Sequence, residues 1–431
     1  MTNKDIGSYV LNSLIKAGAE KADCNVSSNR VDELNIDNGN INLLRSIFTT
    51  NITMKAIKDH KNGMISVNNS DKATLDKAVN DCMEAASVSM VEEAEDIAEV
   101  TKNSVVGDEG EVDLDLLHFR LEELVQETAK SYPNIILNEI HASFVSGSRV
   151  HMNTNNVVME EHYHKYEVFI EFSARDKETS SSVSEYAFAV ETLDKPFLHN
   201  SLLPQLFEQT EKVIYPKPLT GKFEGTILLM PGVFNQLLHT LQRLLLSDKA
   251  LIDGTSRWKD EMGKMVADSR LTLSCNYYDQ DLVTSGSRIT NDGYLVEDLR
   301  VIEQGVLNSF LISRFGSRKT GIPRSKNYGG AFVVEPGEQS LEDMIASIEK
   351  GILVGYLSGN QPDSSGEITG VVKTSFLIEG GKIKEAINET MISCNLLDML
   401  KNIRAISSEQ TCNGYYKLPY IAFDGVVISG K

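Results

Sequence analysis

The chain has 431 residues, which is enough for two or three domains that each bury an apolar interior. Of these residues 41% are hydrophobic and 24% are charged, as in globular proteins, and no apolar run approaches the roughly 18 residues of a membrane helix. The 42 basic and 61 acidic side chains give a formal net charge of −19, which repels nucleic-acid phosphates. We therefore expect a globular protein that binds neither membrane nor nucleic acid.

The N-terminus and the cysteines indicate a reducing compartment. The first residues lead into an amphipathic pattern, without the charged, apolar and small-residue series of a signal peptide. The five cysteines are dispersed and form no C-x-x-C pair, so neither a disulfide framework nor a cysteine-rich zinc site is indicated. We therefore expect a cytoplasmic protein.

The first hundred residues combine helical and strand patterns. Apolar residues at helical spacing over residues 6–15 predict a first helix. Two β-hairpins are predicted next, with turns at the Asn-Gly pairs 38–39 and 62–63. A second helix, capped by Ser70, follows the hairpins. This order predicts an α+β subdomain over residues 1–105.

An acidic segment at residues 92–115 carries ten acidic residues and one basic residue. Charge blocks of this size usually stay in water, so we interpret the segment as a solvated linker or surface loop near a subdomain boundary. A helix at 113–131 and strand patterns at 135–144, 163–174 and 183–190 follow it. They predict a second α+β subdomain over residues 106–218.

The remaining residues, 219–431, are predicted to form a β-dominated domain with a few helices. A buried strand at 226–230 precedes a helix that begins at Pro231 and has a broad apolar face. Short strands separated by glycine follow this helix. The predicted fold class is therefore α+β, with an N-terminal lobe of antiparallel sheet and flanking helices before the β-dominated domain.

Several stretches, in the same order along the chain, resemble the TldD/PmbA family. They are Gly-Ala-Glu-Lys-Ala-Asp at 18–23, Ser-Arg-Lys-Thr-Gly at 317–321, Phe-Leu-Ile-Glu-Gly-Gly-Lys-Ile at 376–383 and Cys-Asn-Gly at 412–414. Through them the chain is similar to the PmbA branch, also called TldE, over most of its length. The family is related to zinc peptidases, and its members have also been called modulators of DNA gyrase.

The resemblance also shows where this chain departs from the zinc-binding branch. In the TldD branch, the helix corresponding to residues 231–247 carries H-E-x-x-x-H, in which the histidines hold zinc and the glutamate activates water. Here His239 is followed by Thr240, and Leu244 stands where the second histidine would be. Cys412 falls near a C-terminal cysteine ligand of the TldD branch. The resemblance implies no metal or other cofactor in this chain, and zinc in a TldD-like partner.

Four residues are candidate metal ligands if the chain does bind a metal. His162 and His164 are two residues apart in a predicted strand, so both rings point to the same face and could begin a site beside two glutamates. His239 and Cys412 are the other two candidates. A structural role is the simpler interpretation of all four, and no catalytic residue is assigned.

The resemblance implies a non-catalytic subunit that pairs with a TldD-like zinc metallopeptidase. The pair would enclose a cavity for unfolded peptides, to which this chain contributes walls and peptide-binding edges. Two alternatives stay open. The chain could be a metallopeptidase by itself, for example as a homodimer with unconventional ligands. It could also be a protein-binding modulator of the DNA gyrase type, without proteolytic activity.

Overall fold

The computed structural model describes residues 1–37, 39–99, 103–283, 287–359, 362 and 365–431. The described chain forms an N-terminal lobe with one mainly antiparallel sheet and a C-terminal lobe with a larger, partly closed sheet. The α+β fold class predicted from the sequence is confirmed.

The N-terminal lobe packs four helices against an eight-stranded sheet. Its helices are α1 (Asn3–Lys16), α2 (Lys72–Val88), α3 (Leu114–Ser131) and α4 (Leu203–Lys212). Its strands are β1 (Lys21–Asp37), β2 (Asn40–Lys58), β3 (Lys61–Val67), β4 (Ser104–Val106), β5 (Ile135–Asn153), β6 (Val158–Asp176), β7 (Thr179–Ser180) and β8 (Ser184–Val190). The strand order is β3-β2-β1-β5-β6-β4, and β7 and β8 also pair with β6.

The predicted first helix is confirmed as α1, and its start is fixed by side chains. The Thr2 hydroxyl accepts a hydrogen bond from the Asp5 amide at 3.2 Å, and the Asp5 carboxylate accepts one from the Thr2 amide at 2.9 Å. This reciprocal pair satisfies two of the amides that a helix start leaves unpaired. The face that carries Val10 and Leu14 is fully buried against the sheet.

The predicted second hairpin is present, but its turn lies three residues earlier than expected. Asp59 and His60 join β2 to β3 with positive φ angles of 51° and 57°, as a tight hairpin turn requires. Gly63 lies inside β3, where a Cβ atom would come within 2.0 Å of the Cys82 carbonyl oxygen in α2. Glycine at this position therefore allows α2 to approach the sheet. The helix is capped by Asp71 and not by Ser70.

The first predicted hairpin, between β1 and β2, is present, although residue 38 of its turn lies outside the described residues. Strand β1 also pairs along almost its whole length with β5, from Asp23 opposite Asn153 to Asp37 opposite Glu139. The segments 1–105 and 106–218 therefore share one sheet. Their division into two subdomains stays a prediction.

The C-terminal lobe is dominated by strands, as expected. Its helices are α5 (Pro231–Leu241), α6 (Asp248–Ile252), α7 (Arg314–Thr320), α8 (Leu341–Ala346) and α9 (Leu396–Lys401). Its strands are β9 (Lys217–Pro218), β10 (Lys222–Leu229), β11 (Leu273–Cys275), β12 (Leu299–Glu303), β13 (Val306–Leu307), β14 (Phe332–Val334), β15 (Lys350–Gly359), β16 (Glu367–Glu379), β17 (Lys382–Asn388), β18 (Thr390–Asn395), β19 (Ile403–Cys412) and β20 (Lys417–Ser429).

Five of these strands close into a barrel. Strand β18 pairs with both β16 and β20, and β10 and β15 complete the circuit between those two strands. The barrel interior and α5 share one apolar core, in which Phe234 of α5 packs edge-on against Phe423 of β20 with ring centroids 6.3 Å apart. A helix that is apolar on most of its surface has to be buried in this way.

The first part of the acidic segment is packed between the lobes, so the prediction of a solvated linker is wrong for residues 92–99, which we call the strap. Ile97 and Ala98 are each only 1% exposed. Asp96 accepts a hydrogen bond from Lys21 Nζ at 2.7 Å. It also accepts hydrogen bonds from Arg314 Nη2 at 3.0 Å and Arg318 Nη1 at 2.6 Å, both on α7 of the C-terminal lobe.

No local pattern predicts the packing of the strap, because two of the three cationic partners of Asp96, Arg314 and Arg318, are more than 200 residues away in sequence and the third, Lys21, is 75 residues away. Residues 103–113, by contrast, are largely exposed, as the surface-loop interpretation expects. In the part of the chain that the structure describes, no helix is both long enough and apolar enough to span a membrane.

We expect the change Asp96→Ala to destabilise the contact between the lobes by about 1–3 kcal/mol, because it removes the carboxylate that Arg314 and Arg318 share and leaves Arg314 only with Glu99, which is 80% exposed. Urea unfolding followed by the fluorescence of Trp258, the single tryptophan, measures the effect. The matched control is Asp81→Ala, which breaks an exposed pair with Lys77 and should cost less than about 0.5 kcal/mol. Equal effects of the two changes would contradict a role for the strap.

Candidate functional site

Two adjoining cavities lie between the lobes, with volumes of about 500 Å³ and about 610 Å³. Both are lined by Glu191, directly after β8, and by Gln280 and Val283 in the loop after β11. The two cavities therefore adjoin each other, and we call them together the interlobe cleft. Concave surfaces at domain boundaries are the usual places for ligands.

His162 and His164 line the first cavity and lie on the same side of β6, as strand alternation predicts. His162 Nδ1 is 3.0 Å from Glu109 Oε1, and His162 Nε2 is 3.3 Å from Glu160 Oε1. His164 Nδ1 is 2.9 Å from Asp108 Oδ1. Each imidazole therefore has its own carboxylate, and the two rings do not share one.

The carboxylates at 108–109 are held in place by close backbone packing. A Cβ atom on Gly107 would lie 2.0 Å from the His162 carbonyl oxygen, and one on Gly110 would lie 2.2 Å from the His164 ring. Both glycines have positive φ angles, of 73° and 58°. The loop after β4 is therefore pressed directly onto β6.

The wall opposite β6 comes from the C-terminal lobe. The Arg288 guanidinium lies over the Tyr278 ring, 5.5 Å from its centroid. The Tyr278 hydroxyl donates a hydrogen bond to the Val296 carbonyl oxygen at 3.2 Å. These contacts fix an aromatic and cationic surface on this side of the first cavity.

Cys412 lines the second cavity at the end of β19. Its thiol donates a hydrogen bond to the Asp281 carbonyl oxygen at 3.2 Å, and its sulfur accepts one from the Gly414 amide at 3.5 Å. Loss of water around the thiol raises its pKa. A protonated thiol is a poor nucleophile and a poor metal ligand.

His239 is separate from the other three candidates, on helix α5. Its ring packs edge-on against Phe332 with centroids 5.1 Å apart, and loss of water lowers its pKa. The following Thr240 donates its hydroxyl hydrogen bond to the Gln236 carbonyl oxygen of the same helix at 3.1 Å. Leu244 packs against the apolar core. These side chains do not form the donor set of a zinc site.

A catalytic zinc ion needs three protein ligands. Among the residues that the structure describes, no group of three or more His, Cys, Asp or Glu side chains could hold a metal ion. The structure brings together His162 and His164 only. The expectation that His162, His164, His239 and Cys412 have structural roles and bind no metal stays a prediction.

A buried polar contact between the lobes lies beside the cleft, and we call it the interlobe seam. Its centre is Arg149 on β5, whose Nη1 donates to Ser287 Oγ at 2.9 Å and to the Ile289 carbonyl oxygen at 3.1 Å. Arg149 Nη2 donates to Asn25 Oδ1 at 3.1 Å and to Asn291 Oδ1 at 2.9 Å. One guanidinium thus joins the N-terminal sheet to residues 287–291 of the C-terminal lobe.

Glu161, directly opposite Arg149 on β6, completes the seam. Its carboxylate is only 3% exposed and accepts hydrogen bonds from the Ser287 hydroxyl and from the Arg288 amide. Arg149 is not among the candidate residues, because the strand predicted from the sequence ends at residue 144, whereas β5 continues to Asn153. Arg149 and His151 alternate with the apolar Val150 and Met152, and this pattern could have extended the predicted strand. The pattern does not show which face of the strand contacts the other lobe.

His151 occupies the most enclosed position of the seam and is 0% exposed. Its Nδ1 is 3.1 Å from Asn25 Oδ1, whereas its Nε2 has no hydrogen-bond partner among the described residues. Gly293 packs so closely that a Cβ atom there would be 2.2 Å from Nε2. Burial, and next the charge of Arg149, lower the pKa of His151 to about 4.

The second cavity is bounded by an edge of the N-terminal sheet. The Ala189 amide in β8 donates to the Asn413 carbonyl oxygen at 2.8 Å, and Asn413 Nδ2 donates to the Ala187 carbonyl oxygen at 3.0 Å. Residues 188–192 then line the cavity. The cleft thus passes between the end of β8 and the C-terminal lobe.

The fold and the cleft define a class of two-lobed α+β proteins in which a strand-rich N-terminal lobe is joined to a barrel-containing C-terminal lobe across a ligand-sized groove. Residues 220–430 match the family model of the PmbA/TldA metallopeptidase C-terminal domain. Residues 220–430, which are nearly half of the chain, therefore form a domain of the PmbA/TldD family.

Relatives and a solved structure agree with this assignment. A protein named metalloprotease from Methanocaldococcus jannaschii is 19% identical over 93% of this chain and 92% of its own length. A metalloprotease PmbA homolog from Buchnera aphidicola is 30% identical, over 33% of this chain and 32% of its own. The crystal structure of TldE from Thermococcus kodakarensis superposes with a TM-score of 0.86 at 19% identity, over 99% of this chain and 100% of that one. This likeness shows the fold.

The folding stability is expected to fall on acidification through His151. Above its unfolded pKa of about 6.5 the residue is neutral in both states. Below that value only the unfolded chain takes up the proton until the pH nears the folded pKa of about 4, so stability decreases across this window. Between pH 7 and pH 5 the loss amounts to about 2 kcal/mol.

Urea unfolding at these two pH values, compared between the wild-type chain and His151→Gln, measures this contribution. The variant should lose less stability on acidification, whereas the exposed control His118→Gln should behave as the wild type does. The groups that face His151 are Arg149, Asp292 and Lys55, and all three are retained in both variants. An unchanged pH dependence in His151→Gln would contradict the assignment.

Proposed function

We propose that this chain is the non-catalytic, PmbA/TldE-like subunit of a two-component zinc peptidase. It pairs with a TldD-like metallopeptidase, which carries the zinc, and it helps to bind unfolded peptides for processing. We place the pair in the cytoplasm, and the five free thiols of the chain are consistent with that compartment.

The observation that carries the proposal is the chemistry of α5. Thr240 and Leu244 stand where the zinc-binding branch has its glutamate and second histidine, and both are engaged within this chain. The remaining histidine of the helix, His239, packs on Phe332. Since the fold around this helix is that of the family, the missing donors support a role in which another chain supplies the metal.

The cleft supports a role in peptide binding. Its two cavities share Glu191, Gln280 and Val283 in their linings, so together they can take a ligand longer than either cavity alone. One wall is the end of β8 with residues 191 and 192, and Asn413 joins it to the C-terminal lobe through the Ala187 and Ala189 backbone groups. An unfolded peptide is a ligand of suitable length for such a groove.

Two other functions are less well supported. A metallopeptidase acting alone would need ligands from His162, His164, His239 and Cys412, which lie on β6, α5 and β19. A modulator that contacts DNA directly is disfavoured by the net charge of −19, although binding to a protein such as gyrase is compatible with that charge.

The chain purified alone, without an affinity tag, should contain no stoichiometric zinc and should not cleave casein or an unfolded peptide. Addition of a TldD-like zinc subunit should give chelator-sensitive cleavage. Elemental analysis and the digestion assay test both statements. Stoichiometric zinc with chelator-sensitive cleavage by the chain alone would overturn the proposal and direct mutagenesis to the four candidate ligands.

Filling the cleft should weaken peptide binding. Gln280 lines both cavities, so Gln280→Trp is expected to raise the dissociation constant for an unfolded peptide at least about tenfold, corresponding to a loss of about 1.4 kcal/mol. The matched control is Glu338→Trp at an exposed position away from the cleft. Fluorescence anisotropy of a labelled peptide measures both, and equal affinities would show that peptides bind elsewhere.

A further inference from the structure

The side chains that line the interlobe cleft carry more negative than positive charge. With histidine counted as neutral, six of the described lining residues are acidic and three are basic. The acidic residues are Asp108, Glu161, Glu191, Asp194, Asp279 and Asp281, and the basic residues are Lys195, Arg288 and Lys417. A cleft lined by an excess of one sign of charge concentrates ligands of the opposite sign.

Three of the six carboxylates are bound to strong donors of the chain itself. Lys417 Nζ lies 2.6 Å from Asp281 Oδ2 and 3.5 Å from Asp279 Oδ2, so one ammonium group serves both carboxylates. Glu161 is buried in the interlobe seam, where a hydroxyl and a backbone amide donate to it. A ligand in the cleft would have to compete with these donors for the three carboxylates.

Two further carboxylates have weaker partners. Asp108 Oδ1 lies 2.9 Å from His164 Nδ1, in the wall of the first cavity. Asp194 Oδ2 accepts a hydrogen bond from the Thr192 hydroxyl at 2.9 Å, in the wall of the second cavity. Each of these two residues lines one cavity only.

Glu191 is the remaining carboxylate, and within the described part of the chain its side chain has no hydrogen-bond or ion-pair partner. It is exposed and lines both cavities, so it lies where they adjoin. Its backbone is held by both lobes, because the preceding Val190 pairs with Tyr166 on β6 and the Ala189 amide donates to the Asn413 carbonyl oxygen at 2.8 Å. A fixed position in the cleft thus carries a carboxylate that a ligand can bind.

The three basic side chains of the cleft leave Glu191 unpaired. Lys417 is taken by its two aspartates. Arg288 lines the first cavity only, where its guanidinium lies 5.5 Å from the centroid of the Tyr278 ring. Lys195 lines the second cavity only. A positive charge placed where the cavities adjoin therefore has Glu191 as its nearest unpaired acceptor.

We propose that Glu191 determines the specificity of the cleft, and that it selects unfolded peptides which place a lysine or arginine side chain where the two cavities adjoin. This inference rests on the peptide-binding role proposed above and names the class of peptide. A carboxylate accepts charge-assisted hydrogen bonds from an ammonium or guanidinium group, and these bonds are stronger than those between neutral groups. Complementary charge of this kind contributes to the choice of ligand more than to its total affinity.

Three labelled unfolded peptides that differ only in one central residue, which is lysine, glutamine or glutamate, test the proposal by fluorescence anisotropy. The wild-type chain should bind the lysine peptide about threefold to tenfold more tightly than the glutamine peptide, and the glutamate peptide most weakly. Added salt should reduce this difference, because the pair is open to solvent.

Variants of the chain assign the preference to one carboxylate. In Glu191→Gln the lysine and glutamine peptides should bind with affinities equal within about twofold, since the two differ by the loss of one exposed ion pair. In Glu191→Lys the glutamate peptide should bind more tightly than the lysine peptide. The matched control is Glu338→Gln, which removes an exposed carboxylate away from the cleft and should keep the wild-type order. The melting temperature of each variant shows whether it is folded.

Equal binding of the three peptides by the wild-type chain, or a lysine preference that persists in Glu191→Gln, would overturn this inference. If Gln280→Trp still weakens binding in that case, the peptide-binding role of the cleft stands and only the role of Glu191 is wrong. If none of the three peptides binds, or if Gln280→Trp binds all of them as the wild type does, the peptide-binding role fails and this inference fails with it.

Discussion

The contact on which the two-lobed structure most depends is the partly buried guanidinium of Arg149. A charge that loses part of its water is tolerated only when its hydrogen-bonding capacity is used, and Arg149 has four acceptors, of which three come from residues 287–291 of the other lobe. Glu161 opposite it is likewise satisfied by Ser287 and the Arg288 amide. Separating the lobes would take away three of the four acceptors of Arg149 and the Ser287 and Arg288 donors of Glu161. The relative position of the lobes, and hence the width of the cleft, is therefore strongly constrained.

The sequence predicts an element correctly when the contacts that determine it lie between residues close in sequence. Helix α1 was predicted because its apolar residues repeat within one helix. The turn at Asp59 and His60 was missed because Gly63, which resembles a turn residue, is required for the contact with Cys82 in another element. The strap was misassigned for the same reason, since Asp96 is neutralised by α7. Patterns within one element were predictable from the sequence, whereas contacts between residues distant in sequence were not.

The same limit applies to the candidate site. Alternation correctly placed His162 and His164 on one face of β6, but it could not show that the loop after β4 presents a separate carboxylate to each ring. It also could not show that Cys412 lies beside Asp281 in a cavity shared with β8. Cleft residues come from several distant segments, so only the folded chain defines the cleft.

The apolar composition of α5 bears on the proposal that this chain is non-catalytic and that a partner chain carries the zinc. A catalytic zinc site on this helix would place imidazoles, a carboxylate and water at one of its faces, and each of these groups needs hydrogen-bond partners or open solvent. Here Phe234, Leu238 and Leu241 bury that helix in the apolar core of the barrel, and Leu244 packs against the same core. A single restored histidine at Leu244 would lack both the neighbouring carboxylate and a third ligand. The helix is thus suited to stabilise the lobe, and this supports the proposal that catalysis belongs to a partner chain.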